Sequence, residues 1–334
     1  MLHLPNENLL IQKTLYEALE KFQQKSPVII DRIVTDFDFT QYHLTTASQP
    51  GNEEELDESK IVLSYRSKAW ASLLKCADND LKKLTGFILA KLQNKFTLAP
   101  ITELSYDISI LIDLNTLDMN DIVQLSLFKI HVLSYPFAKS IEEFKNLQQT
   151  VIQSEEEGRI IQSDKIYHVE NRPNQEGFYI NASSDRITVI FNTKFQDYND
   201  QVFGKVFIQE FIDSRKRNRA IQSSPQVLFS NTPPLEISKI CPPNKSNKNE
   251  DHFITFVLFP RHFENKDVEF LTIAKILQFR NYFHYHIKCS KAYLHSRMRF
   301  RVGSFLKVLN RAKIEDEEEA NVKKTVSGKK MVSF

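Results

Sequence analysis

At 334 residues the chain is longer than one hydrophobic core usually organises, and two domains are predicted. Hydrophobic residues make up 41% and charged residues 26%, the balance of a soluble globular protein. A formal net charge of +2 excludes a polycation, so an acidic partner must be met by a local patch.

Residues 8–25 carry Leu9, Leu10, Leu15, Leu19 and Phe22 at helical spacing, which predicts a first helix. After Pro27, residues 28–45 are rich in Val, Ile, Phe, Tyr and Thr and read as strands with a break at 36–38. The polar, acidic stretch 46–59 reads as a loop.

From residue 61 the pattern occurs twice. Strand 61–65, a helix through Trp70, Leu73, Leu74 and Leu81, a short strand 87–90 and a buried strand 108–112 form the first copy. Strand 187–191, a helix through Val202, Val206, Phe207, Phe211 and Ile212, strand 226–229 and strand 254–259 form the second. The offsets differ, and insertions in surface loops absorb the difference at little cost. Each copy leads into a terminal helix.

From about Asp267 to Arg311 the helical pattern is interrupted only by Gly303, which gives roughly 65 Å of helix at ~1.5 Å per residue. Ile276, Phe279, Phe283, Ile287, Ser290, Leu294, Met298, Val302, Phe305 and Leu309 follow steps of three and four. Such a seam predicts packing of the near half on its own sheet and of the far half on another chain. The expected fold is α+β: two similar modules of antiparallel sheet with helices on one face, plus a long C-terminal helix. The boundaries read as 1–148 for the first module, 149–266 for the second, 267–312 for the helix and 313–334 for a polar tail.

Three features bear on chemistry. Asp36-Phe37-Asp38-Phe39-Thr40 matches the short Asp-x-Asp-x-Thr pattern of haloacid-dehalogenase-type phosphotransferases, but its setting between short strands favours a turn. His284, His286, Cys289 and His295 crowd one helix without a second ligand pair, so packed histidines are expected and no metal. Gly-x-Gly-x-x-Gly, Gly-x-x-x-x-Gly-Lys-[Ser/Thr] and Gly-x-Ser-x-Gly are missing from the sequence, which argues against nucleotide binding and the common esterase arrangement. No catalytic residue and no cofactor are expected. Cys76, Cys241 and Cys289 are few and far apart, as free thiols in a reducing compartment are. The first residues lack a basic then apolar leader, and no run of about eighteen apolar residues occurs. A cytosolic or nuclear protein is expected.

Two basic clusters stand out. Arg215, Lys216, Arg217 and Arg219 end one helix. Lys288, Lys291, Arg297, Arg299, Arg301, Lys307 and Arg311 decorate the long one, interleaved with Tyr293, Met298, Phe300 and Phe305. Neither makes a domain basic enough to predict nucleic-acid binding. A peripheral membrane or lipid-binding adaptor using the same helix is the alternative.

Several stretches resemble the subunit-2 family of the actin-related protein 2/3 complex. They are DRITVIF at 185–191, FGKVFIQEF at 203–211, SPQVLFS at 224–230, PPLE at 233–236 and ITFVLFPRH at 254–262. YFHYHIKCSKAYLHSRMR at 282–299, FLKVLNRA at 305–312 and KTVSGK at 324–329 follow. The resemblance is densest from residue 185 onward. Before that it rests on Asp36-Phe37-Asp38 with Tyr42-His43, and on Leu111-Ile112-Asp113-Leu114; residues 118–135 and 148–175 depart most. Leu9-Leu10-Ile11-Gln12-Lys13-Thr14-Leu15 is similar to fungal members.

The resemblance implies a non-catalytic core scaffold in cytoplasmic, cortical actin patches. It implies pairing with subunit 4 within a complex that holds actin-related proteins 2 and 3, and contact with the mother actin filament during branched nucleation. It implies no nucleic acid and no obligatory membrane. Phe283, Ile287, Leu294, Met298, Phe305 and Leu309 are then expected to bury against subunit 4. Lys288, Lys291, Arg297, Arg299, Arg301, Lys307, Arg215 and Arg217 are expected to face actin.

Overall fold

The computed structural model describes residues 4–49, 52–153, 160–172, 176–195, 197–238, 240 and 251–312. The acidic run 315–319, the stretch 324–329 and Cys241 lie outside the described residues. The chain separates into two compact units, one ending at Phe283 and the other beginning at His284.

Helix α1 (Leu9–Gln23) starts where Asn8 Oδ1 accepts from the Leu10 and Ile11 amides, and it buries Ile11, Leu15, Ala18 and Leu19. Strands β1 (Asp31–Asp36), β2 (Thr40–Gln49) and β3 (Asn52–Arg66) follow as an antiparallel meander. The predicted break at 36–38 is the β1–β2 turn, where Asp38 and Phe39 adopt φ 61° and 56°. The loop expected over 46–59 is instead strand: Ala47 pairs with Asp57 and Ser48 with Leu56, across register shifts. Pairing satisfies main-chain groups whatever the side chains are, so a polar hairpin reads as a loop from composition alone.

Two helices, α2 (Trp70–Cys76) and α3 (Leu81–Lys91), stand where one helix and a strand were expected. Asp78 and Asn79, at φ 58° and 59°, separate them, and Asp80 caps α3 through the Lys82 and Lys83 amides. Residues 87–90 are therefore the end of α3, whose buried stripe is Leu84, Thr85 and Ile88. A four-residue apolar run suits a helix end as well as a strand. The strand in question is β4 (Thr97–Leu98), paired with β5 (Ile108–Asp113). Helices α4 (Met119–Ser126), α5 (Phe128–Leu133) and α6 (Tyr135–Gln153) complete this half, α4 opening on an Asp118/Asp121 capping box.

The second half runs β6 (Gln162–Arg172), β7 (Glu176–Ser183), β8 (Ile187–Lys194), α7 (Tyr198–Arg217), β9 (Gln226–Ser230), β10 (Asp251–Leu258) and α8 (Lys266–Ala312). Strand orders are the same in the two sheets, β1-β2-β3-β5-β4 and β6-β7-β8-β10-β9, with antiparallel neighbours throughout. The sequence repeat is thus a repeat of topology, with β4 as the counterpart of β9.

One face of the first sheet buries Tyr42, Leu44, Leu63, Tyr65 and Ile110 completely. The second sheet sets Phe178, Phe191 and Phe256 toward α6 and α8, where Phe137 lies 5.8 Å from Phe178 and Phe279 lies 4.7 Å from Phe256. Its opposite face, Tyr179, Ile190 and Phe253, is closed by Ile237 from a one-turn 3-10 helix.

Gly177 fits because β6 leaves no room beside it. A Cβ there would stand 2.6 Å from the Val169 carbonyl oxygen and 3.1 Å from His168 Nε2. Gly177→Ala is expected to cost about 1–3 kcal/mol, read as a lower urea midpoint. An unchanged midpoint would mean that β6 yields without loss.

Candidate interaction surface

Helix α8 spans 47 residues, and Gly303 lies within it rather than ending it. Its near half belongs to the first unit and is buried there at Ile273, Ala274, Ile276, Leu277 and Phe283. Phe283 stacks at 5.5 Å on Phe279 and lies 6.0 Å from Phe195. Gly204 of α7 makes this approach possible, since a Cβ there would lie 3.2 Å from the Phe283 ring.

The root of the helix is held by charge. Arg280 donates through Nε to Glu176 Oε2 at 2.6 Å, again to that oxygen through Nη2, and through Nη1 to Asp38 Oδ1 at 3.1 Å. Asn281 Nδ2 donates to Asp38 Oδ2 at 2.7 Å, and Lys129 Nζ lies 3.3 Å from the same oxygen. Burial raises the Asp38 carboxyl, but the Lys129 and Arg280 charges outweigh it, and its pKa falls below the ordinary aspartate value. The Asp-x-Asp-x-Thr match is therefore an antiparallel turn whose second aspartate anchors a helix.

The second unit continues α8 from His284. Of the six residues expected to form a seam, Phe283 and Ile287 are buried, whereas Leu294, Met298, Phe305 and Leu309 are exposed. Tyr293 and Phe300, seven residues apart, are exposed as well, so apolar side chains occupy more than one side. Lys288, Arg299, Arg301 and Lys307 are exposed. The Arg297 guanidinium lies 5.5 Å over the Tyr293 ring and donates to its hydroxyl at 3.2 Å. Helical spacing sets Lys291, half-buried, in the same stripe as Leu294, Met298 and Phe305.

Arg215 and Arg217 belong to the first unit. Arg215 Nε donates to the Ser224 carbonyl at 3.2 Å, and Arg217 pairs with Glu210 at 2.8 Å. Among the described residues no group of three His, Cys, Asp or Glu is arranged to hold a metal. Among them, too, no helix is long and apolar enough to cross a membrane.

A protein-family model described as "Arp2/3 complex, 34 kD subunit p34-Arc" matches residues 63–316. The chain belongs to this family. "Actin-related protein 2/3 complex subunit 2" of Schizosaccharomyces pombe is 38% identical over 345 aligned positions, covering 99% of both chains. The protein of the same description from Dictyostelium discoideum is 32% identical over 308 positions, covering 90% of both. Family likeness therefore extends well before residue 185, where the motifs are densest, and takes in the first sheet from β3 onward. It also takes in 118–135, which holds α4, α5 and the buried residues Ile122, Leu125, Phe128 and Val132. No sequence signal separated the buried from the exposed part of the α8 stripe, because both follow one helical period.

Proposed function

We propose that this chain is the subunit-2 component of an actin-related protein 2/3 complex, a scaffold whose work is geometric. The observation that carries the reading is 38% identity over the whole chain to a relative described as that subunit. The far half of α8 supports it physically. A water-exposed stripe of Leu294, Met298, Phe305 and Leu309 on a helix calls for a neighbour, and burying each side chain is worth roughly 1.5–3 kcal/mol. In this reading the stripe packs on subunit 4 and the two sheets position actin-related proteins 2 and 3.

Basic side chains beside the stripe face the mother filament, with Arg297, Arg299 and Arg301 foremost and Lys288, Lys291, Lys307, Arg215 and Arg217 in support. Exposed ion pairs contribute about 0–1 kcal/mol each, so many are needed and the contact weakens with salt. The chain carries out no bond chemistry and works in the cytoplasmic actin cytoskeleton, at cortical patches.

Affinity purification of the tagged full chain in moderate salt tests this reading. The native chain is expected to bring down a stable assembly that includes two actin-like proteins. Met298→Asp with Phe305→Asp is expected to lose that assembly while circular dichroism stays native. Arg297→Glu with Arg299→Glu is expected to assemble normally and to branch filaments several-fold more slowly. A native chain that elutes alone would sink the scaffold reading.

A further inference from the structure

The segment between β4 and β5 does not stay beside those strands. It reaches back over β3 to β2, the strand next but one to β5. The Glu103 amide donates to Ser109 Oγ of β5 at 3.2 Å, while the Glu103 carboxylate meets His43 of β2. Tyr106 of the same segment stacks on the His43 ring, with centroids 5.8 Å apart and planes at 22°. Ser64 of β3 pairs with His43 on one side and Ser109 on the other, so the three side chains share a face. Ser64 and Ser109 bond to each other at 2.8 Å and are buried. Ile101 and Leu104 of the segment stand in water, 80% and 91% exposed.

His43 holds this segment from both ring nitrogens. Nδ1 lies 2.6 Å from Glu103 Oε1, and Nε2 lies 2.7 Å from Asp31 Oδ1 on β1. A neutral imidazole has a single N–H, and its lone pair repels a carboxylate oxygen at such a distance. Only the imidazolium donates to both. Burial lowers the His43 pKa, but the bonds and charges of Asp31 and Glu103 outweigh it, and the pKa rises above the ordinary histidine value. The other groups around the ring leave this balance alone. Ile33, its cross-strand neighbour on β1, is apolar, and Ser64 on β3 is uncharged. Arg66, on the same face of β3, acts on Tyr106 and Asp107. Arg32 of β1 turns to the opposite face, where it donates to Thr14 Oγ1 of α1 at 2.7 Å.

We propose that His43 is a pH-sensitive clasp, which fixes residues 99–107 across this face of the first sheet while protonated and loosens them on losing its proton. Proton loss leaves one N–H for two carboxylates. The Asp31 side chain is 83% exposed and is let go to water. Glu103 is 33% exposed, and its Oε2 is shut off from water with no donor among the described residues. Glu103 therefore keeps the remaining N–H but loses the charge that offset its burial, and a neutral donor holds a carboxylate less strongly than a charged one. The segment carrying Ile101 and Leu104 then opens more often. Linkage gives the sign: with the folded value raised, the clasp is complete below about pH 6.5 and is lost as the pH rises through the folded value. The clasp lies wholly within the first sheet and does not rest on the subunit reading.

Two measurements on the full-length chain test it. The first is an NMR titration of the nine histidines, labelled at the ring carbons, with His43 assigned by its loss in His43→Gln. Its midpoint is expected above about 6.5, and closer to that value in Asp31→Asn with Glu103→Gln. The second is hydrogen exchange over residues 99–107, divided by the intrinsic rate at each pH. Opening is expected to be several-fold more frequent at about pH 8.5 than at about pH 6, with the change centred on the NMR midpoint. Each unit by which the midpoint exceeds that of the open segment is worth about tenfold in opening, so the two measurements must agree. His43→Gln bonds one carboxylate without a charge. Its opening is expected to stay at the alkaline wild-type level at every pH.

A His43 midpoint at or below about 6.5 would overturn the proposal. So would exchange over 99–107 that stays constant with pH once intrinsic rates are divided out. A pH response that survives in His43→Gln would place the titrating group elsewhere and would overturn it too. Asp31→Asn alone covers the case in which His43→Gln loses protection in β8 and β10 and so fails to fold. It changes an exposed side chain and leaves His43 with Glu103 only, and a wild-type midpoint in this variant would also overturn the proposal.

Discussion

Replacing Arg280 with methionine is expected to lower the unfolding free energy by about 3–5 kcal/mol. Methionine fills much of the volume but carries no charge, so two buried carboxylates lose their shared cation. Arg280 and Glu176 are 6% exposed, and the Asp38 side chain is nearly as deep. Lys129 stays near Asp38, and Arg172 stays 3.6 Å from Glu176, which favours the lower end of that range. Urea unfolding at neutral pH reads the change. An unchanged midpoint would mean that the ion pair gains no more than its desolvation costs.

The pH dependence has a definite sign. The folded Asp38 pKa lies below the unfolded one, so its contribution is complete above about pH 4 and is lost as the pH falls through the folded value. Removing Arg280 takes away one of the charges that depress it. The gap between wild type and Arg280→Met is therefore expected to be widest near neutrality and to narrow in acid.

Phe128→Ala is expected to cost about 4 kcal/mol, among the larger effects open to a single truncation. The ring is fully buried and meets Tyr65 edge-on at 67°, while Tyr65 in turn meets Tyr42 and Trp70. Rings locked on several sides collapse little around a cavity, so transfer and cavity terms both apply. Phe128→Leu should cost much less. A loss below about 1 kcal/mol for the alanine variant would show that α5 settles into the space.

Much of this architecture was legible because periodicity reports burial. The run from Ile187 to Phe191, the run from Ile108 to Ile112 and the helix from Lys266 all announced themselves through spacing. Thr97 and Leu98 did not, since two residues carry no period. The polar hairpin of β2 and β3 escaped for the opposite reason: its ladder is made by backbone, to which composition is blind. Asp36-Phe37-Asp38 drew attention as a chemical motif, yet its partner cation lies 242 residues away and only the fold reveals it. The seam of α8 was readable as a period, but the spacing did not tell buried Phe283 and Ile287 from exposed Leu294 and Met298. A groove between α7, β9 and α8 left no trace, because a cavity is set by how elements pack, which spacing along one element does not report.

Arg280 meets Asp38 across 242 residues of chain and Glu176 across 104. A ribosome makes these three side chains in the order 38, 176, 280. Asp38 therefore precedes by 242 residues, and Glu176 by 104, the guanidinium that meets both. Lys129 and Arg172 come earlier and lie beside Asp38 and Glu176, so Arg280 is the last cation added to a cluster whose halves each already hold one. The last third of the message thus supplies a side chain that bonds to both a turn of the first sheet and a strand of the second.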